Sequence, residues 1–418
     1  MRPSGPLHGT VTLSGAKNSA LKLMAACLLA EGTSTLLDVP DIADVAVMSE
    51  VLEAVGATVE RRGTDVVTVD VPDSLVPIAP YELVERMRAS IVVLGPLLGR
   101  QGFARVSVPG GDDFGSRPID IHLRALSELG VEFSTAHGYV EGRCGRLVGA
   151  RVVLEYPSHT ATDNVLMAAV TAKGETVIEN AAREPEVQDL AEFLRAMGAK
   201  IAGEGTSRIE IEGVDELHPA VHRTVPDRVE AATFLVAVGL AGGEVHLAGA
   251  RPDHMDMLLA KLDAMGMALE VEACGLLCRS AGRLESVDVA TLSYPGVATD
   301  YKPLLVTLLA LSSGVAIVTE NLFAGRFRYV DELRRMGADI RTEGHHAIVR
   351  GRERLSGARV RAPDIRAGAA LVLAGLAADG ETEVVGTEHV DRGYADFAGK
   401  LAALGADVTR RPSAPGET

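Results

Sequence analysis

A short phrase recurs six times along this 418-residue chain, and its spacing constrains the fold more than any other feature. The phrase closes a helical apolar pattern, passes through a glycine and enters a strand pattern, as in AVGATVE and AMGAKIA. A helix often ends at a left-handed residue, which is usually glycine. The spacing therefore predicts six copies of one unit of about 70 residues. Successive glycines lie 74, 68, 68, 71 and 68 residues apart, at Gly56, Gly130, Gly198, Gly266, Gly337 and Gly405.

Each unit also contains an earlier helix whose side chains are apolar on nearly every side. Examples are ALKLMAACLLAEG in the first unit and AALVLAGLAADG in the sixth. A helix of this kind is typically buried inside a domain. A β-branched strand follows it, so each unit should contain a buried helix, a strand, an amphipathic helix and further strands. Three units can surround their own buried helices, which predicts an α/β protein of two similar domains rather than one doubly wound sheet.

Polar residues occupy matching positions in the repeats, close to where the helices begin. Helix N-termini favour anions, and arginine binds phosphate and carboxylate groups through paired hydrogen bonds. Because the net charge is −16, from 41 basic and 57 acidic side chains, such a cluster of cations is informative. It predicts a site for a substrate that carries a phosphate and a carboxylate. Counting back 36 to 42 residues from each glycine gives Lys17 with Asn18, Arg88, Thr162, Arg228, Asp300 and Arg366, and counting back 11 to 13 gives Asp44, Arg117, Glu186, Asp253, Arg326 and Arg392.

The composition also argues against several kinds of partner. The net negative charge argues against nucleic acid and against an anionic membrane surface. The apolar runs are too short to span a bilayer and no secretory signal is evident, so we expect a cytoplasmic protein. The four cysteines are too scattered for a disulfide framework. Cys274 and Cys278 lack the further ligands of a zinc site, so no metal is predicted.

A glycine-rich segment between a strand and a helix stands apart from the repeats. Residues 109–118 carry the adjacent carboxylates Asp112 and Asp113, followed by Arg117. Such a segment is commonly a surface loop. It is also suited to be a lid that brings an acid and an arginine over a bound substrate.

The chain resembles the UDP-N-acetylglucosamine enolpyruvyl transferase (MurA) family over essentially its full length. The matching phrases are SGAKNSALKLMAA, MRASIVVLGPL, PGGDDFGSRPIDIH, ENAAREPEV, DIRAGAALVLAG and HVDRGY. The resemblance implies an inside-out α/β barrel in two domains, each of three repeats. One domain would comprise residues 18–224 with the lid, and the other residues 1–17 and 225–418, with the active site in the cleft between them.

The resemblance further implies an addition–elimination reaction with phosphoenolpyruvate as donor and a uridine nucleotide as acceptor. The acceptor hydroxyl attacks C2 while C3 is protonated, and phosphate then leaves. Such a reaction needs cations, an acid and a base, but no organic cofactor. By motif, Asp112 is the acid and Asp300 the base, and Lys17 and Arg392 are also catalytic. Phosphoenolpyruvate would be bound by Lys17, Arg88, Arg117, Arg366 and Arg392, with Asp364 supporting the cluster.

The acceptor is expected to be UDP-N-acetylglucosamine, attacked at its 3-hydroxyl, in a protein that is a monomer or a weak homo-oligomer. The stretch from Arg117 to His122 resembles the part of the family that binds uracil. The full set of predicted acceptor-binding residues is Asn18, Arg117, Pro118, Ile119, Asp120, Ile121, Ser158, His159, Thr160, Asp300, Lys302, Leu322 and Arg326.

One departure from the family lies in the lid. Many members carry cysteine where this chain has Asp112, and that cysteine is alkylated by fosfomycin. A carboxylate is a much poorer nucleophile toward an epoxide, so the sequence predicts resistance to fosfomycin. Asp113 remains a rival for the role of acid.

Other departures lie in the acceptor pocket and leave a second acceptor open. Ser158-His159-Thr160 replaces Ser-Val-Gly, and Tyr301-Lys302 replaces Leu-Gln. His159 and Lys302 could bind a monophosphate, as in an enzyme that places enolpyruvyl on the 3′-hydroxyl of UMP in a nikkomycin- or polyoxin-type pathway. A regulatory or scaffolding homologue would be expected to have lost Lys17, Asp300 or Arg392, and all three are present.

Overall fold

The computed structural model describes residues 1–107, 119–323 and 325–411. Its helices are α1 (Lys17–Ala26), α2 (Ala43–Ala54), α3 (Tyr81–Val84), α4 (Leu94–Gln101), α5 (Asp120–Glu128), α6 (His159–Ala169), α7 (Pro185–Ala196), α8 (Arg228–Ala241), α9 (Asp256–Ala264), α10 (Lys302–Leu311), α11 (Tyr329–Arg335), α12 (Ile365–Leu376), α13 (Glu388–Asp391) and α14 (Phe397–Ala403). Short 3₁₀ turns span Cys27–Leu29, Arg88–Val93 and Pro252–His254.

The strands are β1 (Leu7–Thr12), β2 (Gly32–Leu37), β3 (Thr58–Arg62), β4 (Val66–Val71), β5 (Ile78–Ala79), β6 (Phe103–Ser107), β7 (Glu132–Ala136), β8 (Tyr139–Arg143), β9 (Arg151–Val153), β10 (Glu175–Glu179), β11 (Lys200–Ala202), β12 (Arg208–Glu212), β13 (Val221–Arg223), β14 (Gly243–Ala248), β15 (Ala268–Glu272), β16 (Gly275–Ser280), β17 (Val289–Ala290), β18 (Val315–Thr319), β19 (Asp339–Glu343), β20 (His346–Arg350), β21 (Leu355–Ser356), β22 (Arg359–Arg361), β23 (Ala378–Asp379) and β24 (Glu383–Val385).

The chain forms two compact units. Among the described residues, the N-terminal unit comprises 15–107 and 119–225, and the C-terminal unit comprises 1–14, 226–323 and 325–411. Lys17 begins α1 and lies in the N-terminal unit, whereas the family resemblance placed residues 1–17 with the C-terminal half. No helix in the described part of the chain is long and apolar enough to cross a membrane.

Five of the repeats each form a four-stranded sheet of the same topology. In each, a short strand pairs in parallel with the strand that follows the buried helix, and that strand pairs antiparallel with a hairpin, as in the order β13-β2-β4-β3. The sixth repeat shows the parallel pair β22-β24 within the described residues. The repeat prediction is therefore confirmed. The other four sheets have the orders β5-β6-β8-β7, β9-β10-β12-β11, β1-β14-β16-β15 and β17-β18-β20-β19.

The six capping glycines adopt the backbone conformation that the sequence predicted. Their φ angles lie between 91° and 110°, a region that side chains with a Cβ rarely occupy. A glycine with positive φ thus ends the amphipathic helix of each repeat.

The almost wholly apolar helices form the interior of each unit. Helices α8, α10 and α12 contact one another in the C-terminal unit, and every residue of α12 is buried. Helices α4 and α6 pack together in the N-terminal unit, where α1 contacts the 3₁₀ turn ahead of α4. With helices inside and sheets around them, the structure has the predicted inside-out α/β arrangement. The side chains that begin these helices, such as Lys17, Arg228 and Arg366, are held at the ends of an apolar interior.

Candidate active site

The C-terminal unit brings three of the predicted site residues into direct contact. The Asp300 carboxylate accepts a hydrogen bond from Arg326 Nη1 at 2.8 Å, and Arg366 Nε lies 3.4 Å from its other oxygen. The two arginine side chains are 5% and 4% exposed, whereas that of Asp300 is 27% exposed. The carboxylate can therefore be reached from solvent while both of its cations are fixed in the protein.

The positions of these three residues follow from the helix ends around them. Asp300 lies two residues before α10. Arg366 is in the first turn of α12, where the side chain of Asp364 caps the helix by accepting from the Arg366 and Ala367 amides at 2.9 Å. An N-cap of this kind fixes the first turn of the helix. The Arg366 side chain extends over the ring of Tyr394, 5.3 Å from its centre.

The charges in this cluster favour an ionised Asp300. Burial raises the pKa of the Asp300 carboxyl, but Arg326 and Arg366 outweigh burial and hold it well below its usual range. Arg228, at the start of α8, acts in the same direction and donates a hydrogen bond to the Tyr301 hydroxyl at 3.3 Å. Asp300 is thus an anion held among three cations.

Two other predicted residues of this unit lie behind the cluster. Lys302 is wholly buried, and its ammonium lies 2.7 Å from the Glu320 carboxylate. The Leu322 amide donates to the same carboxylate at 2.8 Å. Lys302 was predicted to bind the acceptor, but in this structure its charge faces Glu320. Arg392 follows α13 and is half-buried.

The N-terminal unit carries its own buried cation at the start of α1. Lys17 Nζ lies 2.6 Å from the Asp44 carboxylate, and their side chains are 9% and 3% exposed. Asp44 comes from the first turn of α2, so the pair joins the starts of the buried and the amphipathic helices of the first repeat. Asn18 follows Lys17 in α1 and is half-buried.

A second ionic cluster joins α1 to the start of α6. Lys22 Nζ is 2.9 Å from His159 Nε2 and 3.2 Å from the Asp163 carboxylate. Burial raises the pKa of Asp163 to about 7, against the opposing effect of Lys22. His159 and Asp163 lie four residues apart on one face of α6, so the helix itself brings them together. The Ser158 hydroxyl accepts from the Ala161 amide and caps this helix.

His122 ties the start of α6 to the interior of the N-terminal unit. Asn164 Oδ1 accepts from the Gly95 amide, so its Nδ2 is the donor to His122 Nδ1 at 2.9 Å. The proton of the neutral ring is then on Nε2, which donates to Thr160 Oγ1 at 3.2 Å. Burial lowers the pKa of His122 to about 4, and Arg88 acts in the same direction. The ring is therefore a neutral structural link.

The buried neutral His122 predicts a loss of stability in acid. Because its pKa is about 4 in the folded protein and about 6.5 in the unfolded chain, stability is lost as the pH falls from 6.5 through 4. The loss for this group amounts to about 3 kcal/mol. His122→Gln keeps one donor and one acceptor but does not titrate, so its unfolding free energy should depend less on pH. Urea unfolding between pH 4 and pH 7 measures this.

The matched control for that prediction is His218→Gln. His218 belongs to the same unit, and its side chain is 68% exposed. Its variant should retain the pH dependence of the wild type. Equal pH dependence in His122→Gln and the wild type would contradict the role assigned to His122.

The remaining predicted residues are less tightly grouped. Ile119 precedes α5, Asp120 and Ile121 are in its first turn, and Asp120 is exposed and pairs with Arg124 at 2.6 Å. The predicted residues Asp112, Arg117 and Pro118, with the rival acid Asp113, lie outside the described residues.

Three buried charged side chains, one in the C-terminal unit and two in the N-terminal unit, were not predicted from the sequence. They are Glu320, which pairs with Lys302, and Lys22 and Asp163, which pair with each other. All three are buried, and the members of each pair are far apart in sequence. The available signal was a charged residue inside an otherwise apolar run, as Lys22 is in α1. Such a residue needs a partner, which is how the pair could have been anticipated.

Comparison with known proteins identifies the family. The family model described as EPSP synthase (3-phosphoshikimate 1-carboxyvinyltransferase) matches residues 1–401. The chain belongs to this family of enolpyruvyl transferases. It is 50% identical over 406 residues to a UDP-N-acetylglucosamine 1-carboxyvinyltransferase of Myxococcus xanthus (strain DK1622), with 97% of each chain covered. It is 49% identical over 404 residues to the protein of the same name in Mycobacterium bovis, covering 97% of this chain and 96% of that one.

Solved structures of the family have the same fold. The enolpyruvyl transferase NikO from Streptomyces tendae superposes with a TM-score of 0.88 at 28% identity, over 97% of both chains. EPSP synthase from Acinetobacter baumannii superposes with a TM-score of 0.76 at 21% identity, over 97% of this chain and 98% of that one. These matches confirm the enolpyruvyl transferase fold, and the chain is an enzyme of the enolpyruvyl (1-carboxyvinyl) transferase class.

Proposed function

We propose that this enzyme transfers the enolpyruvyl group of phosphoenolpyruvate to the 3-hydroxyl of UDP-N-acetylglucosamine. The observation that carries the proposal is the identity of about 50%, over nearly the whole chain, with relatives named for that acceptor. The carboxylate–arginine cluster around Asp300 supports it, because the reaction needs a base beside cations. The reaction would belong to peptidoglycan precursor synthesis in the cytoplasm, carried out by a monomer or a weak homo-oligomer.

Asp300 is suited to receive the proton of the attacking hydroxyl. Its carboxylate is ionised and partly exposed, as a general base must be. Its low pKa makes it a weak base while Arg326 and Arg366 face it. A bound substrate anion would share those two guanidinium groups and thereby raise the pKa of Asp300. The base would therefore strengthen when the donor is in place.

The cations that begin the buried helices are suited to bind the donor. Arg366 Nη1 is buried and has no hydrogen-bond partner among the residues that the structure describes. A buried guanidinium nitrogen of this kind is costly unless a ligand satisfies it, which fits an anionic substrate. Lys17 begins α1, is buried and is also suited to face a phosphate. With these two we assign Arg88, Arg117 and Arg392 to phosphoenolpyruvate.

The reaction then proceeds in two balanced steps. The hydroxyl oxygen bonds to C2 of phosphoenolpyruvate as Asp300 takes its proton, and Asp112 delivers a proton to C3. The tetrahedral product next loses a proton from C3 and expels phosphate, which restores the carbon–carbon double bond on the acceptor. The cations stabilise the charge on the departing phosphate. Asp112 holds the place of acid by sequence, with Asp113 as its rival.

UMP is the second candidate acceptor, and one observation favours it. His159, whose ring lies 2.9 Å from the Lys22 ammonium, stands where the family turn has valine. His159 is 21% exposed and could meet a monophosphate. The likeness to NikO, at 28% identity, is much weaker than that to the relatives named for UDP-N-acetylglucosamine. UDP-N-acetylglucosamine therefore remains the proposed acceptor.

The acceptor is tested by phosphate release from phosphoenolpyruvate with UDP-N-acetylglucosamine, UMP and shikimate 3-phosphate offered separately. We expect kcat/KM to be highest with UDP-N-acetylglucosamine, by about 100-fold or more, because a site built for a substrate's polar groups rejects analogues that lack them. Omission of acceptor is the control for hydrolysis of the donor. Turnover with UMP alone would replace the proposed acceptor with the second candidate.

A further inference from the structure

The buried pair of Lys302 and Glu320 contacts Thr299, the residue that precedes the candidate base. Both side chains are 0% exposed, and the Lys302 ammonium also lies 4.0 Å from the centre of the Phe327 ring. Removing two charges from water is costly, and the attraction between them often fails to repay the cost. A pair in this position therefore needs either dense hydrogen bonding or a role outside stability.

Glu320 is surrounded by donors on every side that the structure describes. One carboxylate oxygen accepts from the Thr291 hydroxyl at 2.8 Å and from the Leu322 and Phe323 amides at 2.8 and 3.2 Å. The other accepts from the Thr299 hydroxyl at 2.7 Å and faces the ammonium. Burial alone would raise the pKa of Glu320, but its cationic neighbour and these donors outweigh burial and lower it. The site requires an acceptor at both oxygens.

Thr299 connects this carboxylate to the base. Arg326 Nη1 donates to Thr299 Oγ1 at 3.1 Å and to Asp300 at 2.8 Å. An arginine cannot accept a hydrogen bond, so the single hydroxyl proton of Thr299 must point to Glu320. Glu320 thus fixes the rotation of the hydroxyl, the hydroxyl fixes one edge of the guanidinium, and the guanidinium fixes the Asp300 carboxylate.

We propose that Glu320 is a positioning residue for Asp300, acting through Thr299 and Arg326, and that Lys302 is its counter-ion rather than a ligand of the acceptor. The inference rests on the proposed role of Asp300 as the base. It extends that role to residues that never touch substrate. It also changes the assignment of Lys302, whose charge serves the geometry of the base.

Glu320→Gln tests this chain of contacts. Both oxygens of Glu320 accept hydrogen bonds from donors, so the NH₂ group of a glutamine would face a donor. The guanidinium of Arg326 should lose its fixed orientation, which misplaces Asp300. We expect kcat for phosphate release to fall about 100-fold, the cost of a misplacement of about 1 Å. The acid limb of the kcat profile should move to higher pH, because Arg326 no longer stabilises the ionised form of Asp300.

Thr299→Val is the second variant, in case the charge change impairs folding. It removes only the hydroxyl, so Glu320 keeps its ion pair and the thermal unfolding temperature should remain close to that of the wild type. The same shift of the acid limb is expected with a smaller fall in kcat, about 10-fold. Glu343→Gln, a glutamate that is 72% exposed in β19, is the matched control and should behave as wild type.

Lys302→Gln separates the two roles for this lysine. The amide can still donate to Glu320 but carries no charge, so we expect a modest fall in kcat with unchanged KM. An increase in the KM of UDP-N-acetylglucosamine at constant kcat would show that Lys302 binds the acceptor and would overturn its assignment as counter-ion.

The outcomes distinguish this inference from the proposed function. Absence of wild-type turnover with UDP-N-acetylglucosamine, or full activity of Asp300→Asn, would count against the function or the base. An inactive Asp300→Asn beside Glu320→Gln and Thr299→Val variants whose acid limbs are unmoved would overturn the positioning role alone.

Discussion

Replacing Asp300 with asparagine should lower kcat for phosphate release about 1,000-fold, within the range that general base catalysis supplies. The amide keeps the shape of the side chain but cannot take up the hydroxyl proton. Arg326 and Arg366, which lie 2.8 and 3.4 Å from the carboxylate, would also lose their anion. We therefore expect the KM of phosphoenolpyruvate to stay the same or to fall, since both cations become more available to the donor.

Steady-state kinetics with both substrates varied would separate these effects. Asp331→Asn is the matched control, because Asp331 belongs to the same unit, is 75% exposed and pairs with Arg334 on the surface. It should keep wild-type kcat and KM. Near-normal turnover by Asp300→Asn, with an unchanged thermal unfolding temperature, would mean that another group receives the proton.

The repeats could be predicted because each one is encoded locally. A glycine that ends a helix must tolerate positive φ, and a helix that is apolar on all sides must be buried, so both features are visible in a short stretch of sequence. Gly56 and Gly405 lie at opposite ends of the chain, yet both adopt φ near 100°. The sheet order then follows, since each repeat has the same elements to pair.

The contacts that organise the candidate base could not be read in the same way. Lys302 and Glu320 are adjacent to different elements, the start of α10 and the end of β18. No periodicity relates them, and a lysine at the start of a helix is most simply read as a ligand for an anion. Only the folded chain shows that its charge is used internally. Similarly, Lys22 meets His159 across a separation of 137 residues.

Residues at the starts of helices could be predicted to meet because the repeats have the same structure. Asp300, Arg326 and Arg366 come from different places in two repeats, and they meet because repeats pack with equivalent helix ends side by side. Matched register therefore predicted that these residues would be neighbours. It did not predict which carboxylate would face which cation, because that depends on side-chain rotations around Thr299 and Tyr394.

Fosfomycin should leave this enzyme active, because the family resemblance aligns Asp112 with the cysteine that the drug alkylates in many members. A thiolate attacks an epoxide readily, whereas a carboxylate is a far weaker nucleophile. Incubation with fosfomycin and phosphate-release assays over time should therefore show no progressive loss of activity. Intact-protein mass measurement should show no adduct.

The same reasoning predicts that Asp112→Cys creates sensitivity while preserving turnover, since a cysteine can also act as the acid at this position. The variant should lose activity progressively with fosfomycin and gain one adduct on residues 109–118. Asp113→Cys is the matched control and should stay resistant if Asp112 is the acid. Adduct formation and inactivation in Asp113→Cys, with Asp112→Cys unaffected, would transfer the role of acid to Asp113. Because each variant places a reactive thiol at one candidate position, the drug reports which side chain faces the reacting carbon of the donor.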